Sequence, residues 1–132
     1  MANAIYPLAK KQMLQGGINL SAGNVKIALV DLADYTYDDA HEFYDDLTGV
    51  VGTTANLSGK TFGDDGSFDS SDPVATSVTG DQFEALVMYI DTGTPSTSRL
   101  IAYFDTGISG APLTPDGSNI QITVDTDGWF VL

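Results

Sequence analysis

Asp81-Gln-Phe-Glu-Ala-Leu-Val-Met-Tyr-Ile-Asp91 is the first half of the segment around which the rest of the chain is organised. Ser98-Arg-Leu-Ile-Ala-Tyr-Phe-Asp-Thr-Gly107 is its second half. Each half contains an apolar run of strand length, Ala85–Ile90 in the first and Leu100–Phe104 in the second. Their near-continuous apolar character is typical of strands that are covered on both faces. Between them, the linker Thr92-Gly-Thr-Pro-Ser-Thr97 contains Gly and Pro, which favour a turn over a helix. We therefore expect a central antiparallel hairpin on which the other strands pack.

Length and composition indicate one globular domain that spans residues 1–132. Hydrophobic residues make up 42% of the chain, and a chain of this length buries roughly two-thirds of its unfolded surface. The absence of cysteine excludes disulfides, thiolate metal sites and cysteine nucleophiles, and suggests maturation in a reducing compartment. No apolar run is long enough for a transmembrane helix, and lysines interrupt the N-terminal region where a secretory signal would lie.

Charge is unevenly distributed along the chain. Residues 1–30 contain three lysines and no acid, whereas residues 31–132 contain two basic residues and all 18 acids. A body this acidic repels nucleic acid and anionic membranes, so neither is an expected partner. The net charge of −13 keeps the protein soluble; alternatively, the basic N-terminal segment docks on an acidic partner.

The N-terminal segment, residues 1–20, is predicted to contain a short helix. Its apolar residues share one helical face, Pro7 lies in its first turn and Gly16-Gly17 ends it. Such a helix covers the sheet or reaches out to a neighbouring subunit. The residues of the apolar face are Ile5, Leu8, Ala9 and Met13.

A second helix is predicted from Ala40 to Leu47, because these two residues, Phe43 and Tyr44 all fall on one helical face. We expect two turns at most, because the acidic pair Asp45-Asp46 does not suit a helix C-terminus.

The remaining pattern predicts short strands separated by turns. Together with the hairpin, it gives six to eight strands and two short helices, which indicates a mainly β (α+β) fold: an antiparallel β-sandwich or a flattened barrel. Phe62 and Phe68 are expected to anchor a turn-rich meander, and Leu132 to be tucked into the sheet. The further predicted strands are Asn24–Asp31, Val50–Ser58, Val74–Val78 with Val74, Thr76 and Val78 on one face, Ile120–Val124 with its isoleucines inward, and Trp129–Leu132.

Signals for catalysis are weak, so we expect no enzyme and no cofactor. The single histidine, His41, lies in an acidic stretch, and we interpret it as a solvated helix-face residue. One histidine without cysteine falls short of a usual zinc site. Acidic pairs such as Asp64-Asp65 have the composition of a glycosidase site, but adjacent acids in turns are usually just hydrated.

Calcium is the more serious alternative. The oxygen-rich loops Asp64–Asp72 and Asp125–Gly128 offer carboxylate and hydroxyl ligands. The first lacks the spaced acids and closing glutamate of an EF-hand, and the ordinary turn chemistry of Asp, Ser and Gly is the simpler explanation of both loops.

Most aromatic residues are expected in the core, because no basic residues accompany them in the way that base stacking requires. Tyr35 and Tyr37 are predicted to be the most exposed of them and would suit a protein interface.

Strings along nearly the whole chain resemble a family of small virion proteins encoded by tailed bacteriophages and prophages. The resemblance implies a structural component of the particle, most simply a capsid decoration or cement protein, and brings no catalytic or cofactor residues with it. The strings that carry it are Met1–Pro7, Lys26–Asp31, Asp34–Tyr37, Ala40-His41, Asp45-Asp46, Leu57–Thr61, Glu84–Val87, Tyr89, Asp91–Gly93, Thr97–Tyr103, Thr114–Gly117 and the strand from Ile120.

That resemblance leads to a hypothesis about partners. The protein would be made in the bacterial cytoplasm, reside in the virion, self-associate in a symmetric assembly and bind the major capsid protein or another virion protein. Many weak contacts repeated over a lattice would hold it by avidity. The N-terminal segment would make the contact, with Ile5 and Tyr6 supplying apolar area and Lys10, Lys11 and Lys26 meeting acidic groups.

Two alternatives stay open. A tail, neck or fibre component of the phage particle has the same composition as a decoration protein. A host-surface carbohydrate-binding module would use exposed aromatic residues, with Tyr35, Tyr37 and Trp129 as the candidates.

Overall fold

The computed structural model describes residues 3–106 and 111–132. The fold is mainly β, with antiparallel pairing throughout its sheets, as predicted. In chain order its elements are β1 (Ala4–Ile5), α1 (Pro7–Leu14), β2 (Val25–Val30), a 3₁₀ turn (Tyr44–Asp46), β3 (Val50–Thr53), β4 (Thr61–Phe62), β5 (Ser67–Asp69), β6 (Val74–Ala75), β7 (Ala85–Ile90), β8 (Leu100–Phe104), β9 (Ile120–Gln121) and β10 (Phe130–Val131).

The predicted hairpin is confirmed at the centre of the main sheet. That sheet has five strands in the order β1-β8-β7-β2-β3, and β7 pairs antiparallel with both β8 and β2. Every residue of β8 is buried, as is every residue of β7 except Ile90, because both faces of the sheet are covered. The two small sheets, β10-β5-β4 and β6-β9, complete a sandwich-like arrangement, and the residues that the structure describes form no closed barrel.

Alternating residues of the central strands enter two cores. In β7, Leu86 and Met88 join a core with Phe68 and Ile122 beneath the small sheets. The other face of β7, including Val87, joins a second core that α1 and the chain after β2 cover. The period-2 alternation of a strand produces this division, and it explains why the strand sequence is apolar at nearly every position.

The N-terminal segment is part of the domain. β1 is an edge strand that pairs with β8, and the backbone N–H of Tyr6 donates to the carbonyl of Ile101 at 3.0 Å. The predicted helix is confirmed as α1, with Pro7 in its first turn. Gly16, at φ +75°, follows its C-terminal end in the left-handed conformation that glycine adopts without strain.

The predicted second helix is wrong: a single 3₁₀ turn, Tyr44–Asp46, replaces it. The chain before the turn is instead held extended against the start of β8. The N–H of Tyr44 donates to the carbonyl of Ser98, and the N–H of Leu100 donates to the carbonyl of Glu42. Tertiary pairing therefore outweighs the local helical pattern.

Three further predictions need correction. Val74, Thr76 and Val78 do not form one inward face. The strand ends at Ala75, which is buried, and the positive φ of 51° at Ser77 interrupts the alternation, so that Thr76 is exposed. Phe62 is half exposed and stacks on buried Phe68, so only Phe68 is an anchor. Leu132 donates its backbone N–H to Gly66, but its side chain is 66% exposed. The inward isoleucines of 120–124 and the turn before Trp129 are confirmed.

Candidate functional site

The predicted interface residues do not share one surface. Tyr6 is fully buried and Tyr35 is 3% exposed, so neither has area to offer a partner. Tyr37 is half-buried, which makes the prediction of exposed Tyr35 and Tyr37 wrong. Ile5 is also half-buried, because it packs against both cores from the edge strand β1.

Tyr6 and Tyr35 instead belong to a buried polar chain above the second core. Their hydroxyl oxygens lie 2.8 Å apart, and the Tyr35 hydroxyl lies 2.7 Å from Nδ1 of His41. Burial, and secondly the hydrogen bond to Tyr35, raises the pKa of Tyr6 far above its usual range. His41 is therefore a half-buried hydrogen-bond partner in a loop, and the prediction of a solvated helix-face histidine is wrong.

The ring of Tyr37 packs against this hydrogen-bonded group of side chains. Its ring centroid lies 5.0 Å from that of Tyr6 and 5.1 Å from that of Tyr103. Burial first, and then its hydrogen bond with Asp39, raises the pKa of Tyr37 to about 12. The aromatic residues of this region thus hold the N-terminal segment to the sheet and leave little ring surface for a partner.

Three of the five basic side chains are engaged within the protein. Lys26 pairs with Asp91 at 2.8 Å, which lowers the pKa of that carboxyl, and Arg99 pairs with Glu42 at 2.8 Å. Lys60 donates to backbone carbonyls of the 20–23 turn. Lys26 is therefore not free to meet an acidic partner in the way the sequence suggested.

The other two, Lys10 and Lys11, are exposed and have no ion-pair or hydrogen-bond partner among residues 3–106 and 111–132. They lie on the outward face of α1 with Pro7 and Leu14, at the i, i+3, i+4 and i+7 spacing of one helical stripe. Leu14 is 90% exposed, an unusual position for a leucine at the end of a docked helix. We call these four residues the outer stripe of α1.

An apolar groove lies at the C-terminal end of α1. Its volume is about 560 Å³, and Met13 and Gly16 line it from that end of the helix. Phe62 of β4, 51% exposed, and Leu132 line it as well. The helix that carries the outer stripe thus also contributes to a groove with exposed apolar side chains.

The sequence did carry a signal for this surface. Leu14 falls outside the face formed by Ile5, Leu8, Ala9 and Met13, so an apolar residue on the outward side of the helix could have been noticed. The contribution of Phe62 and Leu132 could not be predicted from the sequence, because it depends on how β4 and the residue after β10 lie beside the helix.

The two proposed calcium loops show ordinary turn chemistry. Asp65 and Asp125 each accept a backbone N–H from two residues further along the chain, at 3.0 and 2.9 Å. Among the described residues, the carboxylates that do meet are those of Asp31, Asp34 and Asp81, with oxygens within 4.8 Å of one another. They offer fewer side-chain ligands than the roughly six to eight oxygens that Ca²⁺ takes.

Comparisons with known proteins add no family. A scan against protein-family models gives no match, and a search of the curated proteins finds no relative. No helical segment of residues 3–106 and 111–132 has the length and hydropathy of a transmembrane span.

Proposed function

We propose that this protein is a non-enzymatic structural component of a tailed bacteriophage particle, a decoration protein that binds the outer shell. The observation that carries the proposal is the outer stripe of α1, with unpaired Lys10 and Lys11 beside exposed Leu14. A helix face of this kind complements an acidic surface that has an apolar recess, and the occupant we assign to it is the shell protein of the particle.

Charge gives the surface its selectivity. The chain carries −13 overall, yet its two unpaired cations are adjacent on one helix face. The acidic remainder opposes non-specific association, while the stripe attracts an acidic partner. Repetition over a symmetric shell multiplies weak individual contacts by avidity, so a small patch is sufficient.

The resemblance to small virion proteins supports a particle component but does not favour the head over the tail. A tail, neck or fibre component remains the second candidate. Copy number separates the two, because a decoration protein is present in many copies per particle whereas a neck or fibre protein is present in few.

A binding experiment with charge-matched variants tests the proposal. Particles lacking the protein are incubated with the full chain, and bound protein is quantified after sedimentation. Lys10→Gln with Lys11→Gln, and separately Leu14→Gln, should each reduce occupancy severalfold without changing thermal stability. The control, Ser96→Glu with Thr114→Glu, makes the same change in net charge at exposed positions away from α1 and should bind like the wild type.

Equal occupancy for the wild type and both stripe variants would remove the outer stripe as the docking surface. Failure of the wild type itself to bind any component of the particle would remove the decoration role.

A further inference from the structure

Trp129 lies between two adjoining cavities that the particle-binding surface does not use. One cavity, of about 290 Å³, opens on the side of the Asp125–Gly128 turn. The other, of about 310 Å³, lies between the edge strands β1 and β10. Both are lined by Asn3, Phe104 and Trp129, so these three residues belong to the wall that the two compartments of similar size share.

We propose that this cleft binds a neutral saccharide, with one sugar ring on each side of Trp129. The inference goes beyond the particle-binding role and does not depend on it. The size of the cleft fits this ligand, because each compartment lies near the lower end of the range of about 300 to 1,000 Å³ for ligand pockets. A disaccharide or trisaccharide therefore matches the pair better than a large cofactor does.

The indole is held in place before any ligand arrives. Its Nε1 donates to the Ser70 hydroxyl at 2.9 Å, and its backbone N–H donates to the carbonyl of Phe68 at 2.7 Å. The ring of Phe104 supports it at a centroid distance of 5.6 Å. The C–H groups on one face of a pyranose form an apolar surface that packs on an aromatic ring, and a fixed ring loses little entropy on binding.

Polar groups of the first compartment suit sugar hydroxyls. The Asp127 carboxylate and the Thr123 hydroxyl have no hydrogen-bond partner in the described part of the chain. Asp125 uses Oδ1 to accept the N–H of Asp127, which leaves its second oxygen as an acceptor. Carboxylates accept strong hydrogen bonds from hydroxyl groups, so these residues can fix the orientation of a ring stacked on Trp129.

Most of the residues that line the second compartment have apolar side chains. Ile5, Ala102, Phe130 and Val131 line it together with the shared residues. Such a wall accommodates a methyl or acetyl substituent, as found on deoxy and N-acetylated sugars, better than a fully hydroxylated face.

The charge of the cleft selects among sugars. Among residues 3–106 and 111–132, no Lys, Arg or His lines either compartment, whereas Asp125 and Asp127 line the first. An anionic sugar such as a sialic acid, a uronic acid or a sugar phosphate would meet negative charge that no described side chain of the cleft compensates. The ligand class is therefore neutral, and carboxylated or phosphorylated counterparts are excluded.

The test begins with an array of neutral bacterial surface oligosaccharides and their sialylated or phosphorylated counterparts, probed with the full chain. The chain has a single tryptophan, so titration of the strongest neutral binder can be followed by the fluorescence of Trp129 itself and by calorimetry. We expect saturable binding with a change in tryptophan emission, and none with the charged counterparts.

Variants assign the binding to the cleft. Asp127→Asn should weaken binding about tenfold, the effect of replacing a charged hydrogen-bond acceptor by a neutral one. Trp129→Ala should abolish the binding that calorimetry detects. Because this variant removes a packed side chain and can disturb the fold, Asp127→Asn, at an exposed position, tests the cleft independently of folding. The control Asp64→Asn removes an exposed charge elsewhere and should leave affinity unchanged.

The proposal is overturned if no neutral oligosaccharide binds at millimolar concentration, or if bound saccharide responds equally to Asp127→Asn and Asp64→Asn. A lysine-rich peptide that binds and quenches Trp129 when no saccharide does would also overturn it, since it would identify the cleft as a receptor for cationic side chains.

Discussion

The hydroxyl oxygens of Tyr6 and Tyr35 lie 2.8 Å apart, which joins the residue before α1 to the chain that follows β2. Both side chains are almost completely buried. This contact makes the N-terminal segment part of the domain, because Tyr6 cannot leave without opening the second core. The partner-binding role that we propose therefore falls to the outer stripe of α1, whose four residues are exposed.

Tyr35→Phe should destabilise the fold by about 1 to 3 kcal/mol, because it leaves the buried Tyr6 hydroxyl and His41 Nδ1 without their shared partner. Urea unfolding followed by circular dichroism measures this change. Tyr44→Phe is the matched control: its hydroxyl has no hydrogen-bond partner among the described residues, so its effect should stay within about 0.5 kcal/mol. Equal losses in the two variants would show that the Tyr6–Tyr35 hydrogen bond has no net value.

Stability should fall steeply above about pH 10. The pKa of all six tyrosines is raised in the folded state, with burial as the largest cause in each case. A raised pKa means that the folded protein keeps protons that the unfolded chain releases above the ordinary value of 10.0. The contribution is therefore complete below that pH and is lost as pH rises towards the folded pKa, which is about 12 for Tyr37.

Tyrosinate absorbance and circular dichroism, recorded together during an alkaline titration, check this dependence. Ionisation of the buried tyrosines should coincide with loss of the fold. Full ionisation near pH 10 in a chain that keeps its native circular dichroism would contradict the burial of these hydroxyls.

Two glycines with positive φ should differ sharply in their tolerance of alanine. At Gly93, φ is +86° and a Cβ would meet nothing within 4 Å, so alanine should cost only the left-handed backbone penalty of about 1 to 2 kcal/mol. At Gly128, φ is +91° and a Cβ would lie 2.5 Å from the carbonyl oxygen of Phe68. That oxygen accepts the N–H of Trp129, so Gly128→Ala should cost clearly more and change tryptophan emission.

Thermal unfolding of both glycine variants gives the comparison. Similar losses, with unchanged Trp129 emission in Gly128→Ala, would show that the turn before β10 is less tightly packed than described.

The central hairpin could be predicted from sequence because its strands are apolar on both faces and are separated by a strong turn signal. The bounds of β7 and β8 match the predicted runs, Ala85–Ile90 and Leu100–Phe104. The conformation of segment 40–47 could not be predicted from the sequence, because its helical spacing competes with backbone hydrogen bonds to Ser98 and Leu100 that only the folded sheet provides. Long-range pairing of this kind leaves no periodic trace in a single sequence.

The proposed binding surface contains only some of the residues that the sequence suggests for an interface. Charge alone points to Lys10 and Lys11, and both are exposed and unpaired within the described chain. Tyr6 and Lys26, expected at the same contact, and Tyr35, expected at a protein interface, are instead engaged by internal partners, because residue type does not reveal which hydrogen bonds a side chain makes.

Quantitative mass spectrometry of purified phage particles whose genome encodes this chain decides whether it is a component of the shell. A decoration protein should be present at a fixed ratio to the major shell protein, in many copies per particle, and the double variant Lys10→Gln, Lys11→Gln should lower this ratio. Particles that contain none of the protein, although the infected cells produce it in folded form, would rule out the proposed role.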